Sequence, residues 1–287
     1  MKRLKFLGSP SLKFTIFTMG FIGFLAAPLN SRGADTTFLP ESHHQRYQTY
    51  GLFIDNQTTL IYRNAGRAWG ALGATFALLG RGQGVEASQL VVSASVNTAF
   101  RLEDGLSPET ADARVEITWD TRLSPEWLLS FGFSHASGHV NDSALPQDLD
   151  LLPLNLGVDA FPIRVIYDGS EFFRPGFTLK PLFESEPKSK FFQGNQFLEW
   201  YPWGRAKSYS VPTPYFAFGL EEYGHNSLEV SLHSQVGVYF GNHRDPKRFN
   251  SLRCTAGFYS GPDPRLKYYY YKDTHVTFGY LGIMLDI

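Results

Sequence analysis

The sequence has a single cysteine, Cys254, in 287 residues. One thiol excludes an intrachain disulfide framework even in an oxidising compartment. Cys254 sits in an alternating strand pattern and is expected to be a small packed residue rather than a nucleophile. Basic runs are also missing. There are 26 Lys and Arg against 27 Asp and Glu, and Lys2, Arg3, Lys5 and Lys13 crowd at the N-terminus, so the remaining chain is mildly acidic. Nothing in it suits a phosphate backbone, which argues against nucleic acid as a partner. Beyond Ala27 no apolar run is long enough to cross a bilayer as a helix, which takes about 20 residues. Helical periodicity is scarce.

Aromatic side chains, in contrast, are abundant. The chain holds 25 Phe and 15 Tyr and is 16% aromatic, yet its mean hydropathy is −0.20. A transmembrane β-barrel reconciles the two, because aromatic girdles sit at both membrane interfaces while alternate residues face water. The N-terminus fits export. Four cations precede the apolar run from Phe14 to Ala27, which ends in small residues, the layout of a secretory signal. Residues 1–34 are therefore expected to be a signal peptide cut between 26 and 34. Residues 35–46 would be a periplasmic segment, and 47–287 the barrel.

Period-two alternation marks strands with two different faces. Leu90, Val92, Ala94, Val96, Thr98 and Phe100 alternate with Gln89, Ser93, Ser95, Asn97 and Arg101. Ala113, Val115, Ile117 and Trp119 alternate with Asp112, Arg114, Glu116, Thr118 and Asp120. Trp127, Leu129, Phe131 and Phe133 are set against Ser130, Gly132 and Ser134. Such runs match the roughly nine to eleven residues of a tilted membrane strand and exceed the five or six of an average soluble one. Closure into a barrel pairs the backbone groups that hydrocarbon would otherwise leave unpaired.

The expected fold class is all-β, an antiparallel transmembrane barrel of about twelve strands, with 10 to 14 as the range. The strands fall near 47–62, 68–79, 88–101, 110–122, 126–139, 155–168, 171–184, 190–201, 211–222, 226–241, 249–260 and 274–287. With both termini periplasmic, the short turns near 123–126 and 168–170 lie inside, and the longer connections 141–154 and 261–273 lie outside. The last strand alternates Leu281, Ile283, Leu285 and Ile287 with Gly282, Met284 and Asp286. It resembles the C-terminal signal read by barrel-assembly machinery, with Ile in place of the usual final aromatic. The Gram-negative outer membrane is the expected location.

Three stretches carry a further resemblance: Phe133 to Asp142, Phe258 to Arg265 and Phe278 to Gly282. From about Ala68 onward the chain resembles an uncharacterised family of outer-membrane barrels with a His-x-Ser-x-His-x-x-Asp core. Here Asn141 stands in place of that family's Gly, and Ser143 in place of Glu. The resemblance implies a fold and a location.

That core holds the one constellation with chemistry. His135, Ser137 and His139 share a strand face. His135 and His139 lie about 13 Å apart on a strand, too far to share a metal, and no metal or cofactor is expected. His135 and Ser137 are about 6.6 Å apart along the backbone, close enough for a base to reach a serine. Their spacing is similar to that of the outer-membrane phospholipases, where the pair faces lipid, although those carry Asn-Gly after the serine and this chain has Gly138-His139. Asn155 and Asp142 are the candidates to orient the base, and His139, Tyr268 and Tyr269 the candidates for substrate contact. Interfacial His and Ser can equally be structural, hydrogen-bonding headgroups, water or the loop above. Two functions are thus expected. The first is a structural or narrow-pore barrel. The alternative is an outer-membrane acyl hydrolase, of phospholipase or lipid A deacylase type, with outer-membrane lipids as partners.

Overall fold

Strands whose two faces differ so sharply must separate two solvents. The computed structural model describes residues 36–42, 47–50, 58–63, 66–82, 88–103, 105–140, 156–186, 192–224, 228–242, 251–265 and 275–286. The expected signal peptide, residues 1–34, and residues 43–46 lie outside the described residues. The described strands are β1 (Thr36–Phe38), β2 (Thr58–Arg63), β3 (Arg67–Arg81), β4 (Ser88–Arg101), β5 (Ser107–Ser124), β6 (Trp127–Val140), β7 (Leu156–Ala160), β8 (Ile163–Tyr167), β9 (Phe173–Glu186), β10 (Phe192–Trp200), β11 (Lys207–Gly224), β12 (Leu228–Asn242), β13 (Ser251–Pro262) and β14 (His275–Asp286).

β7 and β8 are halves of one traverse, both lying between β6 and β9. They part at Phe161 and Pro162, where proline has no N–H to give to the ladder. Among the described residues β1 pairs only with the end of β3, at Leu79 to Arg81. Chain neighbours otherwise pair antiparallel, and β14 closes on β2 through Ile283↔Leu60 and Met284↔Thr59. The result is a closed antiparallel barrel of twelve traverses, as the alternation predicts.

Burial is inverted relative to a soluble protein. Leu72, Val96, Phe177, Phe183, Phe218, Leu281 and Ile283 are exposed on the outside. Asp112, Glu116, Asp120, Arg164, Arg174, Glu199, His233 and Arg253 are buried inside. The outer wall meets hydrocarbon and the lumen is polar, the distribution a membrane barrel needs. Cys254, expected to be packed, is exposed on the outer wall. Rings gather near the turns that β14 ends beside: Trp127 stands edge-on to Tyr167, with centroids 5.2 Å apart, and Trp200 stacks on Phe216 at 5.1 Å. That belt belongs at the periplasmic interface.

The lumen is cross-braced. Arg174 donates to both Glu199 oxygens, at 3.1 and 3.0 Å, and Tyr201 donates its hydroxyl proton to Glu199 at 2.7 Å. Burial and the adjoining carboxylate push the Tyr201 phenol, in the turn after β10, well above its ordinary value. Asp168 collects Arg122, Arg174 and Arg205. Lys180 reaches Glu116 at 3.4 Å, and Arg265 reaches Glu109 at 2.8 Å.

One expectation is corrected at the start of the barrel. The first strand was expected from residue 47, but β2 begins at Thr58, and Tyr47, Gln48, Thr49 and Tyr50 are all buried. A membrane strand would expose every second residue. Their backbone bonds go to lumen side chains instead: Tyr50 N–H donates to Glu199 Oε1 at 2.8 Å, Arg164 donates to the Tyr47 carbonyl at 2.9 Å, and Gln235 donates to the Tyr50 carbonyl. Four residues of chain thus occupy the inside of the barrel.

Candidate functional site

The outer face of β6 runs Trp127, Leu129, Phe131, Phe133, His135, Ser137 and His139, while Leu128, Ser130 and Ser134 turn inward and are buried. Ser137 lies three residues before the strand ends at Val140. This is the end away from Thr58 and Asp286, where β2 starts and β14 stops, so His135 and Ser137 face lipid at the height of the outer leaflet. Both are partly buried, and His139 is exposed.

Register fixes their neighbours. His135 lies between Val115 of β5 and Asp159 of β7, and Ser137 lies between Ala113 and Gly157. His135 Nδ1 and Asp159 Oδ1 are 2.6 Å apart, a charge-assisted distance. The side chains are 44% and 24% exposed, so the pair is half shielded. With Nδ1 committed to the carboxylate, Nε2 is the nitrogen left to face another group. The ring also leans along the sheet: its Cε1 would lie 4.0 Å from a Cβ added at Gly157, directly opposite Ser137. Ala113 and Gly157 give Ser137 low walls on both sides. Below it, Phe133 and Phe183 pack with centroids 5.9 Å apart.

No hydrogen bond joins His135 to Ser137 among the described residues. Catalytic hydrogen bonds are often long in the free enzyme and tighten on substrate. The expected orienters Asn155 and Asp142, and the expected contacts Tyr268 and Tyr269, lie outside the described residues. The residue that does meet His135, Asp159, was missed from sequence. Leu156, Val158 and Ala160 alternate with Gly157 and Asp159, which would put the apolar set on lipid and the acid in the lumen. The structure reverses this. Leu156 and Val158 are buried, packed with Ala136 and Leu182, so Asp159 points outward beside His135. A carboxylate two residues after a glycine, at the start of the strand that pairs with β6, was the available signal.

Several solved barrels are similar to this one. The chain matches the outer membrane phospholipase A from Escherichia coli with a TM-score of 0.51 at 11% identity, over 81% of this chain and 92% of that one. An active-site variant of that protein gives 0.52 at 12%, over 83% and 92%. The KdgM porin gives 0.47 at 9%, over 80% and 98%. No protein-family model matches the chain, and no curated protein does. At such identities the likeness extends to the fold alone. The fold is that of the Gram-negative outer-membrane β-barrels, and the apolar wall around a charged lumen gives the chain that location.

Proposed function

We propose that this barrel is an outer-membrane acyl hydrolase acting on lipid at its outer surface, with Ser137 as nucleophile, His135 as base and Asp159 as orienter. The observation that carries it is the 2.6 Å contact between His135 Nδ1 and Asp159 Oδ1 on the lipid-facing wall, one step along the sheet from Ser137. An ionisable pair set in a membrane wall is costly and marks function by default.

The chemistry follows from the geometry. Ser137 Oγ attacks the carbonyl carbon of a lipid ester, and His135 Nε2 takes the hydroxyl proton while Asp159 holds Nδ1–H and stabilises the imidazolium. The tetrahedral adduct collapses, the ester C–O bond breaks, and His135 returns the proton to the departing alkoxide. Water, activated by the same ring, then hydrolyses the acyl-serine to a free fatty acid. Substrate arrives sideways from the outer leaflet. Phospholipid and lipid A both offer such esters, and the low walls at Ala113 and Gly157 leave the carbonyl a way in.

The test is fatty-acid release by purified protein from mixed micelles of phospholipid, and separately of lipopolysaccharide. Wild type is expected to release fatty acid from one of them and Ser137→Ala to release none. Equal release by both proteins, or none by wild type across detergents and divalent-ion concentrations, contradicts the proposal.

A further inference from the structure

We propose that the Tyr47–Tyr50 segment is a removable stopper, and that the barrel passes small polar solutes through its lumen once the stopper is withdrawn. This is a second function, independent of the lipid-facing site.

The segment is inside the barrel but not part of its wall. It makes no described ladder with any strand. Its grip is Arg164 on the Tyr47 carbonyl, and Glu199 and Gln235 on the two backbone groups of Tyr50. Arg253 lies over the Tyr50 ring, 3.9 Å from its centroid. The ring also meets Tyr215 and Tyr239, at 5.3 and 6.0 Å. Tyr47 packs on Leu128, Ile166 and Phe197. Side chains of the wall thus hold backbone atoms of the segment, in a manner that can be undone without opening the sheet. Just upstream, the Glu41 carbonyl accepts from Gln89 at 2.6 Å, which ties the segment to the wall at one more point.

The socket is chemically a pore lining. A permanent core is served as well or better by apolar residues as by buried ion pairs. Here the polar groups around the segment are Arg164, Arg174, Glu199, Gln235 and Arg253, which would be wetted if it left. The lumen beyond is also polar, with a cavity lined by Arg114, Glu116, Lys180, Asn195 and Glu221. At the opposite mouth the chain turns inward at Asp263 to Arg265, and Arg265 reaches Glu109 across the barrel. That hook narrows the path and enters the test.

Planar-bilayer recording of the full chain decides the matter, with heat-modifiable gel mobility as the check that each variant is folded. Wild type is expected to be silent. Tyr47→Ala with Tyr50→Ala, which strips the stopper, is expected to give discrete conductance steps. Arg164→Ala with Gln235→Ala, which alters only the socket, is expected to do the same, so one misfolded variant leaves the other to decide. Each pair is also recorded with Arg265→Ala added. Wild type conducting as well as the variants shows that the segment stops nothing. Folded variants that stay silent, with and without Arg265→Ala, show that the lumen is no passage. Either result overturns the proposal.

Discussion

The residues of the outer-wall site differ in how they could be found. His135 and Ser137 were legible because their spacing of two places them on one strand face. Asp159 was not, because the alternation around it is inverted: Leu156 and Val158 fill a lumen-side apolar cluster, and pattern reading assigns apolar residues to lipid. The distinction has a consequence. If Asp159 orients His135, Asp159→Asn lowers kcat by about 10³-fold or more with little change in KM, as loss of an orienting acid does elsewhere. Gly157→Val tests the approach to the serine instead. A branched side chain opposite Ser137 would obstruct substrate, so KM rises while the midpoint of unfolding in urea stays near wild type. Inside the barrel, Glu199 is contacted by Arg174, Tyr201 and the Tyr50 amide. Glu199→Ala removes the partner of a buried guanidinium and is expected to cost about 3 kcal/mol of stability, read as a lower urea midpoint.

Among the elements, β4, β5 and β6 followed their patterns because each has one face for lipid and one for water. The traverse made of β7 and β8 did not, since it carries apolar residues on its lumen side and a proline at its middle. The first expected strand misled for another reason. Residues 47–50 include two tyrosines, a content that suits a membrane strand, yet all four residues are buried. Only the lumen groups of β8, β10 and β12 that receive them explain this, and those groups come from positions more than 100 residues away. β6 also depends on one small residue. A Cβ at Gly132 would lie 2.0 Å from the Ile117 carbonyl oxygen of β5, a clash with backbone that cannot rotate away. Gly132→Val is expected to shift the β5–β6 pairing and destabilise the barrel by roughly 1–3 kcal/mol or more. A smaller folded fraction on heat-modifiable gels would be the sign.

For the whole molecule, the strand count, the closure and the polarity of the two surfaces were all legible. A closed barrel in a membrane must alternate along every traverse, and that constraint is written locally. What occupies the lumen and which groups meet on the outer wall depend on pairings between distant strands, and so they emerge only with the fold. The barrel carries a chain segment in its lumen and a His135–Asp159 pair on its outer wall, so the functional question has two places. The most direct measurement is mass spectrometry of the detergent-solubilised protein after reaction with a long-chain fluorophosphonate, which labels only an activated serine. The account predicts a single adduct on Ser137, lost in His135→Ala. An unmodified Ser137, or the same adduct with and without His135, would contradict it.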